Sequence, residues 1–159
     1  MINSRNLSRS NRAPFQVLVI PYRRASADVR KLEYAIFRRN ERSGGYWQGI
    51  AGGGEGRETS LQAAIRESNE EAGIPANANF LALKSMCTIP VEHVCGFHWG
   101  DQHLVIPEYA FAVECSNHEI VISSEHIEYK WVNYSEAAGL LKWDSNRCAL
   151  WELHERLLR

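Results

Sequence analysis

The chain of 159 residues predicts a single α+β (α/β) domain in which a mixed sheet lies between helices. Three observations carry this reading. A continuous apolar run, Phe15 to Tyr22, suits a buried strand. A glycine-rich stretch opens directly onto one strongly punctuated helix. Strand-like and helix-like segments then alternate unevenly, which argues against a regular parallel winding.

Met1 to Arg12 is rich in Ser, Asn and Arg and contains no acid. A targeting peptide is conceivable, but the stretch is short with almost no apolar face, so residues 1–12 are expected to form a flexible tail and residues 13–159 the domain. Leu32 to Arg38 alternates in polarity and is the expected hairpin partner of the first strand, joined to it by the polar stretch Arg23 to Lys31. Tyr46 to Arg57 reads as a glycine-rich loop. Thr59 with Gln62 three residues later is a capping-box start, and Gly73 with Pro75 supplies the stop. Leu61, Ile65, Ser68 and Ala72 share one face of that helix at helical spacing. Phe80 to Ile89, Val105 to Val113 and Glu128 to Val132 are expected strands. Ser135 to Leu141 and Ser145 to Leu158 are expected helices, each opening on a serine that can cap.

A single domain of this length buries roughly 70% of its unfolded surface and needs no covalent staple. The charge is balanced, with 18 basic and 19 acidic residues, so no global field attracts nucleic acid or anionic membrane. A small phosphorylated partner is expected instead, handled by a local site. Cys87, Cys95, Cys115 and Cys148 include no Cys-x-x-Cys pair, and no apolar run approaches the roughly 20 residues needed to span a bilayer. Reduced thiols and a cytoplasmic location are the expectation.

On the predicted helix Glu67, Glu70 and Glu71 fall at i, i+3 and i+4, so three carboxylates converge on one surface. Each like-charged pair costs on the order of 0.2–0.5 kcal/mol. Two explanations meet this crowding: a solvated face relieved by Arg57 and Arg66, or a hard divalent cation among the oxygens. Gly52, Gly53 and Gly54 stand just before the helix, where bare backbone can approach a phosphate and the helix N-terminus favours negative charge. Glu58 and Arg66 supply orienting partners for the acids. Carboxylates, cation and phosphate are the parts that metal-assisted attack on phosphorus requires.

The stretch Gly52 to Ile74 (GGGEGRETSLQAAIRESNEEAGI) resembles the Nudix box. Gly52, Glu58, Arg66-Glu67, Glu70-Glu71, Gly73 and the aliphatic Ile74 fill its positions at its spacing; Ser68 stands where the family usually has an aliphatic residue. The resemblance implies a Nudix-type α/β/α sandwich with the box beneath the substrate phosphates. It implies that Glu67, Glu70 and Glu71 hold magnesium, with manganese as the alternative ion, and that the carbonyl of Ala51 is a further ligand. By the same likeness Glu67, or else Glu70, deprotonates the attacking water, Arg66 orients the acids and Glu58 braces the loop.

Outside the box, Ser124 to Trp131 and Ser145-Asn146-Arg147 resemble the dihydroneopterin triphosphate pyrophosphatase branch of that family. This likeness makes Glu125 the carboxylate that completes a metal site, brings Arg38 to a substrate phosphate or ring, and places Ser145 at the pocket, with Arg12 as a weaker basic contact. Trp47 is expected to pack beside the loop. His93, Cys95, His98, His103 and Cys87 have no tight zinc-ligand spacing and are expected to be structural. The segment Pro90 to Gln102 matches nothing in the pterin branch and is expected to form a hairpin over the pocket. Pro90 falls where ADP-ribose-cleaving members carry a proline, which keeps that substrate open. Two functions of different kind follow: a pyrophosphohydrolase acting on a pterin triphosphate, a (d)NTP or a dinucleotide, or a non-catalytic nucleotide-binding module, which loss of the box acids would mark.

Overall fold

The computed structural model describes residues 11–25, 28 and 31–159. The elements are β1 (Arg12–Arg24), β2 (Leu32–Arg39), β3 (Trp47–Gln48), β4 (Ile50–Glu55), α1 (Ser60–Ala72), β5 (Phe80–Pro90), β6 (Val105–Glu114), β7 (His126–Val132), α2 (Tyr134–Leu140) and α3 (Asp144–Leu158). The seven strands form one mixed sheet ordered β3-β2-β1-β6-β5, with β4 also on β1 and β7 also on β2. Among the described residues the β1–β6 strand pair is parallel and the other strand pairs are antiparallel. The expected tail lies outside the described residues as far as residue 10; Arg12 itself opens β1.

β1 is apolar without alternation because both its faces are covered. Leu18, Ile20 and Tyr22 join Tyr34, Ile36, Ala110 and Ala112 in a core closed by Leu141, Leu150 and Leu153 of the C-terminal layer. Val17 and Val19 join Ala35, Phe37, Phe111 and Val113 in a second core closed by Ala63, Ala64 and Ala72 of α1. The fold is therefore an α/β/α sandwich, as the sequence predicts.

One edge of β1 is shared. Its last residues pair with β2, through Tyr22 with Tyr34 and Arg24 with Leu32, while Gln16 to Val19 pair with Gly53 to Ile50 of β4. Beyond this point β2 leaves β1 and pairs through Phe37 and Arg38 with β3. This divergence makes room for a site between the strands. It also corrects the expectation of a loop over 46–57, since the triple glycine is strand. A Cβ on Gly52 would fall on the Glu67 carboxyl carbon, and one on Gly53 on the Arg12 guanidinium carbon. Bare backbone is needed there for close approach, and pairing to β1 overrides glycine's poor strand propensity.

α1 begins and ends as predicted. The Thr59 hydroxyl accepts from Gln62 N, Gln62 answers to Thr59 N, and Gly73 closes the helix at φ 65°. Its buried face differs from expectation: Ala63, Ala64, Ser68, Glu71 and Ala72 are buried while Leu61 is exposed. The small alanines let the helix lie close to the sheet. Neither later helix uses a serine cap. Asn133 caps α2 by accepting from Glu136 N, and Trp143 precedes α3 with no side-chain cap.

β5 and β6 pair through a bulge, because Ala82 faces Phe111 and the next pair is Met86 with Tyr109. The N–H groups of Lys84 and Ser85, inside that gap, donate to the Glu152 carboxylate of α3 at 2.8 and 2.6 Å. The Ser85 hydroxyl donates at 2.6 Å and Arg156 Nε at 2.9 Å. Burial works against the charge on Glu152, but these donors outweigh it and hold its pKa at about 2. Residues 90–102, expected as a hairpin, instead form a short 3-10 turn at Val91–His93 followed by bends that connect β5 to β6. Gly96 and Gly100 of this segment have positive φ, which favours turns over paired strands. Trp99 Nε1 from the segment donates to the Arg12 carbonyl at 2.8 Å.

Candidate active site

A cavity of about 480 Å³ opens where β1 and β4 meet α1 and the start of β7. Most of the predicted residues gather on it: Ala51, Gly52, Gly53, Arg66, Glu67, Glu70, Glu71 and Glu125 all line it. Arg38 does not. Its Nε donates to Gly45 O at 3.1 Å and its Nη2 pairs with Glu41 at 2.7 Å. The neighbouring Arg39 lines the cavity instead. Alternation along β2 separates the two, since successive side chains face opposite sides. Ser145 lines a second cavity beside the first.

Arg66 organises the acids. Its Nε lies 2.8 Å from Glu58 Oε1, and its Nη2 donates to Gly53 O at 2.7 Å. Its Nη1 reaches Glu67 at 2.8 Å and Glu70 at 3.3 Å. Glu58 in turn accepts from Glu55 N at 2.9 Å, so it braces the turn between β4 and α1. These bonds raise the Arg66 pKa and lower that of Glu58. The i, i+3, i+4 repulsion is relieved by a cation from the chain itself.

Glu67 lies deeper. Burial drives its carboxyl up to about 7; Arg66 draws it down, while Glu71 and Glu70 push it further up. Glu71 is 3% exposed, its Oε2 2.7 Å from His126 Nε2, and its pKa too is raised by burial against the pull of that imidazole. Glu125, at the rim, pairs with Arg39 Nη1 at 3.1 Å. Among the described residues no three His, Cys, Asp or Glu side chains stand together as a ready-made metal site. Each acid holds an internal partner instead. The donor chemistry nevertheless fits a hard divalent ion, which takes one or two carboxylates and fills its shell with water and phosphate oxygens.

Two guanidinium groups complete the cavity. Arg12 lines it, donates through Nη2 to Gln16 at 3.0 Å, and leaves its buried Nε without a partner. Burial lowers its pKa. Arg39 Nε is likewise buried and unpartnered. Two guanidinium groups lining a polar cavity suit phosphate oxygens. Sequence reasoning missed His126 and Arg39. The first is the leading residue of a strand in an already noted segment, and the second adjoins the arginine chosen. Only register distinguishes them. Trp47 packs as expected against the core, with Lys130 Nζ 5.0 Å from its ring centre. His98 and His103 flank the Trp99 ring, each at 5.6 Å between centroids.

Residues 21–151 match the NUDIX domain family, and the chain belongs to the Nudix hydrolases. It is 32% identical over 143 residues to dihydroneopterin triphosphate diphosphatase of Escherichia coli K12, covering 86% of this chain and 89% of that one. A Listeria monocytogenes crystal structure assigned to the NUDIX hydrolases superposes with a TM-score of 0.81 at 38% identity, covering 92% of this chain and 95% of the other. The asymmetrical bis(5'-nucleosyl)-tetraphosphatase of Sus scrofa is 31% identical over 112 residues, covering 70% of this chain and 72% of its own. No helix among the described residues is long and apolar enough to cross a membrane.

Proposed function

We propose that this Nudix hydrolase is a magnesium-dependent pyrophosphohydrolase of triphosphates, with dihydroneopterin triphosphate as the leading substrate and pyrophosphate as a product. The observation that carries the reading is the cavity itself. Glu67, Glu70, Glu71 and Glu125 line it together with the guanidinium groups of Arg12 and Arg39, beside bare backbone at Gly52 and Gly53. Similarity to the E. coli diphosphatase over most of both chains supports the choice of substrate.

Glu67, Glu70, Glu71 and Glu125, with the Ala51 carbonyl, are the groups that would hold the ion. When bound, magnesium supplies charge neutralisation at the pyrophosphate oxygens. Arg12 and Arg39 bind terminal phosphate oxygens through their guanidinium groups. Glu67 takes a proton from water as that oxygen attacks phosphorus. The bridging P–O bond breaks and its electron pair leaves with pyrophosphate. In the metal-free protein burial lifts the Glu67 carboxyl to about 7, which makes it a readier base than an exposed glutamate. Arg66 fixes the orientation of Glu67, and Glu58 fixes Arg66. Ser145 stands at the adjoining cavity and serves the organic part of the substrate, whereas Arg38, held by Gly45 O and Glu41, lines neither cavity.

A second substrate class has a specific observation behind it, the likeness to the tetraphosphatase of Sus scrofa. A screen of pyrophosphate and nucleotide release separates the two, using dihydroneopterin triphosphate, the dNTPs, ADP-ribose and diadenosine tetraphosphate with and without magnesium. The expected result is magnesium-dependent pyrophosphate release from the pterin, falling about 10²–10⁴-fold in Glu67→Gln. Magnesium-independent turnover, or full activity in that variant, overturns the assignment.

A further inference from the structure

Beside the acid-lined cavity a second one of about 380 Å³ opens, sharing Gln16, Tyr46, Gln48 and Ala51 with it. It is the less polar of the two. Trp143 forms part of its wall with Ile89 and Pro90, and the Tyr46 ring stands edge-on to Trp143 at 5.2 Å. Such a slot suits a flat heterocycle. Its continuity with the phosphate cavity is the geometry that one molecule with a ring and a polyphosphate tail would need.

Lining this second cavity is Glu108, only 5% exposed. Strand register sets Gln16 beside it on β1 and Cys87 beside it on β5. Gln16 Nε2 donates to Glu108 Oε2 at 3.4 Å, Cys87 Sγ–H to Oε1 at 3.6 Å, and Ser145 also bonds the carboxylate. Among the described residues no Lys, Arg or His nitrogen forms an ion pair with it. A buried carboxylate is costly to keep without a cation, and a long amide bond, a thiol and a hydroxyl leave room on its two oxygens for further donors. Burial raises its pKa, while Ser145, Cys87 and Gln16 pull the other way. Its orientation is also fixed from a distance. Arg12 Nη2 holds Gln16 Oε1 at 3.0 Å, which turns the Gln16 amide nitrogen toward Glu108. A line of three groups thus joins the phosphate wall to the apolar slot.

Resting on the reading of this chain as a triphosphate pyrophosphohydrolase, we propose that the second cavity holds the substrate's heterocycle and that Glu108 selects it. The Glu108 carboxylate accepts from two neighbouring donors, a ring N–H and an exocyclic amino group. That pair is the 2-amino-4-oxopyrimidine edge common to guanine and pterin. The corresponding edge of adenine sets an unprotonated ring nitrogen beside its amino group and meets the carboxylate as acceptor against acceptor. Ser145, Cys87 and Gln16 all donate to Glu108, which favours the accepting form against the burial that raises its pKa.

The test uses dGTP, dITP and dATP with magnesium. The first two differ only in the 2-amino group. Wild-type protein is expected to favour dGTP over dITP by about 10- to 100-fold in kcat/KM, as one lost charge-assisted pair implies. Dihydroneopterin triphosphate should group with dGTP. In Glu108→Gln the dGTP to dITP ratio should fall toward one. Equal wild-type turnover of dGTP and dITP, a preference for dATP, or an unchanged ratio in the variant overturns the proposal. The wild-type comparison needs no variant to fold. If no triphosphate turns over, the pyrophosphohydrolase reading fails, and base selection is then read from binding of α,β-methylene dGTP against α,β-methylene dITP by calorimetry. Equal affinities there overturn the role of Glu108.

Discussion

Glu152→Gln isolates one connection between the C-terminal helix and the sheet. The substitution keeps the side chain's size and one carbonyl acceptor but removes the charge that receives two bulge N–H groups, a hydroxyl and Arg156. The folded carboxyl has a pKa of about 2 against an ordinary 4.5. That gap of roughly 2.5 pH units corresponds to at most about 3.4 kcal/mol at 1.36 kcal/mol per unit. Solvent reaches the rim of the group and screens it, so about 1.5–2 kcal/mol is expected at pH 7. For a domain of this size the melting temperature should fall by roughly 3–8 °C. The folded carboxyl binds its proton less tightly than the unfolded one, so its contribution is complete above pH 4.5 and disappears as pH falls toward 2. Urea unfolding followed by circular dichroism, at a series of pH values from 7 downward, measures this. The difference between wild type and variant should shrink steadily below pH 4.5. A difference that stays constant through that window, or is under about 0.5 kcal/mol at pH 7, would refute the reasoning.

Other substitutions probe the site and the helix beneath it. Gly52→Ala places a methyl on the Glu67 carboxyl, so pyrophosphate release should drop at least about tenfold, while the flexible far end of Glu67 absorbs the clash and the melting temperature moves by only about 2–4 °C. His126→Ala leaves Glu71 buried without its imidazole and should cost about 3 kcal/mol in chemical denaturation of metal-free protein. Ser68 is fully buried and its hydroxyl has no partner, so Ser68→Ala should gain about 1 kcal/mol in the same assay; a loss would mean that the hydroxyl is satisfied.

The box helix was legible because every signal along it agrees: capping box, glycine stop and acids at helical spacing. The buried strands were legible from apolar runs alone. Gly52 to Gly54 were not, since strand there depends on β1 offering an edge and on Glu67 and Arg12 filling the space a side chain would take. The caps at Asn133 and Trp143 were missed because a serine lies two residues after each and competes on composition. Arg39 was passed over for Arg38 because a pair of adjacent arginines carries no facing information until a register is known. Glu108 left a trace: it shares the parity of Ile106 and Ala110, which puts an acid on the buried side of a strand. His126 depends on a contact 55 residues distant in sequence, and nothing local announces it.

β1 contributes alternate side chains to both cores, so neither helical layer can peel away without exposing one side of the same strand. The two halves of the sandwich are thereby joined through a shared wall. Loosening at α1, where the acids lie, will be felt by the packing of α3 on the opposite face, and the molecule should lose both layers in one cooperative step.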